Sequence, residues 1–324
     1  MSKEIFNRPW PEEFEPALEI HSNVSATSLG AVFSGLYPLH KTIYAYPYSR
    51  IKGLVIAYAS RMKSRPEKLS MGRMPAFVHS QWSRGYFHWV TESLPRAIAV
   101  RDQFPDALVL LPSSYNSFHP ESLKALGVNF DYFPSHNVKS SSALITTCPA
   151  HYGTTSSNIL GRVRQEVRGE AKPNLNYGER VYISRKKSRG RCVINEEQVV
   201  QSLRDLGFVE LVPEDFTFHE QVEIFRNVRF LVSIHGAGLT NMVFMNPGAL
   251  ILELLPFRNG FFDLRPNSLS FKHDNCYLQL SHKMGHRYSF IQCKHDKLKN
   301  GKTNLANIVV DCGVLHKKIE NLLI

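Results

Sequence analysis

The chain has 324 residues, enough for two domains of ordinary size, and its 43% hydrophobic and 21% charged content excludes a disordered, collagen-like or coiled-coil protein. Thirty-nine Lys and Arg against 28 Asp and Glu leave a formal charge of +11, which favours anionic partners: nucleic acid, phosphorylated small molecules, acidic glycans or an anionic membrane surface. Residues Met1–Trp10 hold no apolar run of signal-peptide length, and 18 apolar residues never run together, so neither secretion nor a membrane span is expected. The five cysteines (Cys148, Cys192, Cys276, Cys293, Cys312) are scattered and form no Cys-x-x-Cys, so reduced thiols are expected rather than a zinc site or a disulfide framework.

In chain order, Gly53–Ser60, Ala107–Pro112 and Ala143–Cys148 read as buried strands, with helices near Phe87–Phe104, Glu121–Leu126 and Asn158–Arg168. Ser140-Ser141-Ser142 reads as a short loop, and the Pro-, Gly- and Asn-rich stretch 169–178 as a linker. Beyond it, strands are predicted at Val181–Ser184, Phe208–Val212, Arg229–Ile234 and Ala249–Leu255. Helices fall between them at Glu196–Leu206, Phe218–Asn227 and from Leu239. A helix at His273–Met284, strands at Tyr288–Gln292 and Ile308–Asp311, and a helix at Gly313–Leu323 close the chain. Alternating strands and helices imply βαβ units and parallel sheets. The expected architecture is α/β: a Rossmann-like domain over 1–172, a second over 173–324, and a ligand cleft at the carboxyl ends of the strands.

Three segments carry chemistry. In Gly85–Arg96, His88 and Glu92 stand at i and i+4 of a predicted helix, a pairing able to make a general base, with Arg96 one turn on. Pro95 removes the bond to the Thr91 carbonyl and should kink or restart that helix. The basic turn Arg185–Arg191 follows a strand end, where Arg185 could hold a diphosphate; that role is not extended to Arg189 or Arg191. The strand–turn–helix Phe230–Asn241 carries the Gly-x-Gly of Gly236 and Gly238, whose amides favour an anion, and Glu253 ends the next strand where a ribose contact or a structural role would fit. Asn241 in place of a third glycine, and His235 before the turn, count against NAD. A lipase-type oxyanion loop would need a Gly-x-Ser-x-Gly elbow that the chain lacks, and His219-Glu220 has no second zincin histidine.

In series, Tyr86-Phe87-His88-Trp89 with Glu92 and Leu94-Pro95-Arg96, then Tyr182-Ile183-Ser184-Arg185, His235-Gly236-Ala237-Gly238-Leu239-Thr240-Asn241, Pro247-Gly248 and Glu253-Leu254 resemble glycosyltransferase family 61, which includes bacterial capsular-polysaccharide proteins. The resemblance runs in order from Tyr86 to Ile324 and leaves the first 80 or so residues unmatched. It implies a GT-B architecture, two Rossmann-like domains facing a central cleft with the nucleotide sugar held by the second, and an inverting transfer to a glycan such as a capsular or other surface polysaccharide. Glu92 takes the place of the base, with His88 and His235 as competitors. Arg96, Arg185, Lys186, the turn Gly236, Ala237, Gly238, Leu239, Thr240 and Asn241, and Glu253 take the place of substrate-binding groups. No Asp-x-Asp occurs, so no divalent metal and no cofactor is expected. The resemblance further implies a bacterial cytoplasmic enzyme, with peripheral contact to an anionic membrane face and no nucleic-acid partner. The competing reading is a nucleic-acid or acidic-polymer binding protein without catalysis, which would announce itself by steeply salt-dependent binding.

Overall fold

A computed structural model of the chain describes residues 13–43, 47–148, 155–167, 177–188, 190–257, 275–296 and 306–324. Most of the predicted linker (169–176), Arg189 and the predicted helix start at His273 lie outside the described residues. The chain divides into two compact units, one within 12–169 and one within 170–324. Both are mixed α/β, each with its own sheet.

The first unit contains β1 (Leu18–Thr27), β2 (Val32–Ser34), β3 (Tyr37–Pro38), β4 (Glu67–Lys68), β5 (Pro75–Phe77), β6 (Leu108–Leu111), β7 (Phe130–Tyr132) and β8 (Asn137–Thr146). Their order is β3-β2-β1-β8-β5-β6-β7, with β4 also on β8. Strands β8, β5, β6 and β7 run parallel, whereas β1 and its hairpin partners are antiparallel. The Rossmann-like pattern therefore covers only part of this sheet.

Two expectations fail here. Ser140-Ser141-Ser142 is no loop: it lies inside β8, where Ser142 pairs with Ser22 and Ser140 with Val24. The ladder to β1 satisfies its backbone, so tertiary pairing overrides the weak β-propensity of serine. Gly53–Ser60 is no strand: it belongs to the helix Pro47–Arg61. A short, nearly continuous apolar run has no period that separates a strand from a helix. The helix buries Gly53, Ala57 and Ser60, one small-residue face, with Ala57 packed in a cluster with Ala31, Phe33 and Ile43.

After β5 the chain enters a helical run in three parts: Tyr86–His88, a π-turn at Trp89–Ser93, and Leu94–Gln103. Pro95 has no N–H to give Thr91, and the turn widens so that the Leu94 amide donates to the Trp89 carbonyl. The helix then restarts at Leu94 with Leu94, Ala97, Ile98 and Val100 buried.

The second unit contains β9 (Arg180–Ile183), β10 (Val209–Leu211), β11 (Phe230–Ile234), β12 (Leu250–Pro256), β13 (Arg287–His295) and β14 (Ile308–Val309), in the order β10-β9-β11-β12-β13-β14. All are parallel except β14. Helices Glu196–Arg204 and Phe218–Asn227 connect them; the second starts at a capping box in which Thr217 and Glu220 satisfy each other's backbone amides. From β9 the chain crosses to β10 on one side; from β11 it proceeds to β12 on the other. The carboxyl ends of the neighbours β9 and β11 therefore form a topological switch point, the place where open α/β sheets bind ligands. Among the described residues no helix is long and apolar enough to cross a membrane.

Candidate active site

Register places the key side chains of the second unit. Ile183 of β9 pairs with Ser233 of β11, and two residues beyond each stand Arg185 and His235. The Arg185 guanidinium lies between two glycines. A Cβ on Gly236 would stand 1.9 Å from its Nη1, and one on Gly190 would stand 3.2 Å from its Nη2. Gly236 has φ 169°, extended backbone that any residue adopts, so its glycine is needed for space. Arg185 Nη2 donates to Ser188 Oγ at 2.5 Å. Arg191 Nε donates to the His235 carbonyl at 2.5 Å, and burial together with the nearby Arg185 holds its pKa below the ordinary guanidinium range. Two guanidinium groups thus gather at the carboxyl end of the sheet, beside the turn that opens a 3-10 helix at Ala237–Phe244. That set suits a diphosphate: bidentate donors, backbone amides and a positive field.

Behind the turn, Glu253 of β12 is fully buried. Its Oε1 is 2.5 Å from His235 Nδ1, and its Oε2 accepts from the Tyr288 hydroxyl at 2.5 Å. Burial, with the Glu253 charge beside it, keeps the Tyr288 hydroxyl protonated well above its usual range, as a donor requires. The His235 ring also packs edge-on to Tyr277, with centroids 5.1 Å apart. The carboxylate thus fixes the orientation of His235 from within the sheet.

In the first unit the π-turn carries Glu92, fully buried, with both carboxyl oxygens 3.1 Å from His88 Nδ1. Desolvation raises the Glu92 pKa well above the usual carboxylate range, opposed in part by Arg96. A carboxylate whose pKa is raised by burial binds a proton more strongly than an exposed one. The His88 side chain retains 19% exposure and stacks beside Trp82, so it is the accessible member of the pair. Arg96 is wholly buried beneath them: Nε donates to the Glu92 carbonyl, Nη1 to Cys148 Sγ at 3.0 Å and Nη2 to Ser93 Oγ at 3.2 Å.

The expected site residues therefore separate. His88 and Glu92 are paired in one unit. His235, Arg185, Gly236 and Glu253 gather in the other, with Ala237 exposed on the same turn and Gly238 against Ile183. Arg96, expected to bind substrate, is an internal support. Glu253, expected at a ribose or in a structural role, has both oxygens committed to His235 and Tyr288. Leu239, Thr240 and Asn241 have wholly buried side chains, and Asn241 donates to Gln221. Lys186 pairs with Glu210 at the exposed surface, 2.9 Å away.

Arg191, set aside on sequence grounds, belongs to the cluster. Only the three-dimensional turn brings it to His235, 44 positions away. Tyr277 and Tyr288 carried no sequence signal, since neither lies in a recognisable motif. Among the described residues no three His, Cys, Asp or Glu side chains gather as metal ligands do.

Comparison with known proteins places the chain in a family. A human protein O-linked-mannose β-1,4-N-acetylglucosaminyltransferase 2 is 31% identical over 83 residues, which is 25% of this chain and 14% of the human one. The mouse counterpart matches over the same shares, and that of Xenopus laevis is 31% identical over 74 residues, 22% of this chain and 13% of its own. The chain thus aligns with only about a seventh of the length of these relatives. The family model described as Glycosyltransferase 61 matches residues 86–252, from the helix that carries His88 and Glu92 to the strand that holds Glu253. Because that match takes in more than half of the chain and runs through both units, the chain belongs to glycosyltransferase family 61.

Proposed function

We propose that the protein is an inverting, metal-independent glycosyltransferase of GT-B type, moving a sugar from a nucleotide-sugar donor to a hydroxyl of a glycan acceptor. Capsular or other surface polysaccharide is the acceptor class we assign. The observation that carries the reading is the Arg185 guanidinium seated on Gly236 at the switch point of a parallel sheet, with Arg191 beside it. In the second unit these two cations and the amides of the Gly236–Gly238 turn would neutralise charge developing on the leaving diphosphate, the work a chelated metal does elsewhere. His235, held by Glu253, would line the donor side.

In the first unit His88 would accept the proton of the acceptor hydroxyl, with Glu92 behind it as orienting group and proton sink. The acceptor oxygen bonds to the anomeric carbon, the bond from that carbon to the phosphate oxygen breaks, the pair of electrons leaves with the diphosphate, and the proton ends on the His88–Glu92 pair. The activity for which the relatives are named makes an N-acetylglucosamine donor and an O-linked mannose acceptor the first pair to assay.

The test is hydrolysis or transfer from a panel of nucleotide sugars in EDTA. Turnover should persist in EDTA, and Arg185→Ala should lower kcat/KM at least about a hundredfold at an unchanged unfolding midpoint. Wild-type kcat/KM in Arg185→Ala would remove the diphosphate assignment. Loss of turnover in EDTA restored by a divalent ion would remove metal independence.

A further inference from the structure

The helix Pro47–Arg61 turns Gly53, Ala57 and Ser60 inward, with Leu54 half-buried against the same cluster and Ile56 also half-buried. Other large apolar residues stand in solvent: Ile51 is 73% exposed, Val55 62%, Tyr58 42% and Met62, just past its end, 86%. At about 100° per residue these four fall within roughly 60° of arc, one continuous stripe. The β2–β3 turn extends it, for Leu36 is 74% and Tyr37 79% exposed. That turn is tied to the helix by the Tyr58 hydroxyl, which donates to the Leu36 carbonyl at 3.3 Å, and by Arg61, which donates to the Gly35 carbonyl at 2.7 Å. A contiguous exposed apolar patch of this kind marks an interaction surface.

The charge around the stripe selects the partner. From Ile20 to Pro66 the sequence has six Lys and Arg and no Asp or Glu. Lys52 and Lys63 are exposed and border the stripe, with Arg65 exposed just beyond. An apolar arc bordered by cations, free of carboxylates and carrying two tyrosines with apolar rings and polar tips, matches the boundary between acyl chains and anionic headgroups. We propose that this helix and the adjoining β2–β3 turn are a docking surface for an anionic lipid bilayer, the helix lying in the interface plane with Ile51, Val55, Tyr58 and Met62 inserted. The assignment stands independently of the catalytic reading, since none of its residues belongs to either candidate cluster.

Co-sedimentation of the full chain with vesicles tests it. The protein should pellet with vesicles of phosphatidylcholine mixed with phosphatidylglycerol, and not with phosphatidylcholine alone. Ile51→Glu/Val55→Glu should lower the partition coefficient at least about tenfold by placing charge in the stripe. Lys52→Glu/Lys63→Glu should do the same, as each lost cation is worth about fivefold near such a surface, and high salt should weaken the wild type. Unfolding midpoints equal to wild type would show that the variants fold, as expected for exposed sites. Failure of the wild type to bind anionic vesicles, or unchanged binding by Ile51→Glu/Val55→Glu, would overturn the assignment. So would a wild-type dimer in sedimentation velocity that this variant dissociates without any vesicle affinity, which would give the stripe to a second copy of the chain.

Discussion

Gly236→Ala isolates the seat of Arg185. The new Cβ would lie 1.9 Å from Arg185 Nη1, 3.1 Å from Cζ and 3.7 Å from Cδ. Ordinary contact begins at about 3.5 Å, so the guanidinium must retreat by about 1.5 Å. The retreat costs the fold little, because the colliding atoms end a flexible side chain and the backbone at φ 169° accepts alanine without strain. Function is different: a charge-assisted hydrogen bond contributes about 1.5–3 kcal/mol, and a misplacement of about 1 Å costs on the order of a hundredfold. Gly236→Ala should therefore lower kcat/KM for nucleotide-sugar turnover roughly 10- to 150-fold with the thermal midpoint preserved. The decisive assay is a double-mutant cycle. Added to Arg185→Ala, the same alanine should cost less than about threefold, because the group it displaces is already gone. An equal loss with and without Arg185, or no loss in either background, would refute the role given to this contact.

Replacing Glu92 by Gln should lower kcat by about a hundredfold to ten-thousandfold while a thermal shift with the nucleotide stays near wild type; unchanged turnover would remove Glu92 from the proton transfer and leave it to a histidine alone. The same variant has a pH signature. A carboxyl with a raised folded pKa binds its proton more tightly folded than unfolded, so its contribution is intact below pH 4.5 and is lost as pH rises toward the folded value. The midpoint of Glu92→Gln should therefore gain on wild type as pH climbs from 4.5 to 8, and a flat difference would contradict the raised carboxyl. Tyr288→Phe removes one of the two groups holding Glu253 and should cost about 1.5–3 kcal/mol in urea unfolding; under about 0.5 kcal/mol would show that the bond carries no weight.

The parts of this molecule legible in its sequence are those whose causes are local. The helix near Phe218–Asn227 was readable from its position between two apolar strands, and the structure adds the capping box at Thr217 that fixes its start. The parallel pairing around β11 was readable from strand–helix alternation, and the restart at Leu94 from the amide missing at Pro95. The antiparallel β1–β3 edge was not, because β1, on which the other two strands build, is mostly half-exposed or exposed and is specified by pairing to β8 across more than a hundred residues. Nor was the helical state of Gly53–Ser60, where a nearly continuous apolar run hides the period, and where the structure turns Val55 and Tyr58 outward against the usual rule.

The two His–Glu pairs show the same boundary from inside the sites. His88 and Glu92 are four residues apart on one helical run, so spacing alone predicts that they share a face, and they meet at 3.1 Å. What spacing cannot carry is the environment: only the packed structure puts Glu92 in a π-turn above the buried Arg96, where desolvation outweighs the nearby cation and raises the carboxyl. His235 and Glu253 are 18 residues apart on neighbouring strands and meet only because Ser233 pairs with Glu253 in the β11–β12 ladder. A slip of one residue would turn Glu253 to the other face and leave His235 without its carboxylate. The identity of both residues was visible, but their partnership is a property of register. The same ladder therefore explains why a glutamate in the next strand, read from sequence at a ribose or in a structural role, takes the structural one and holds the histidine at the head of the glycine turn.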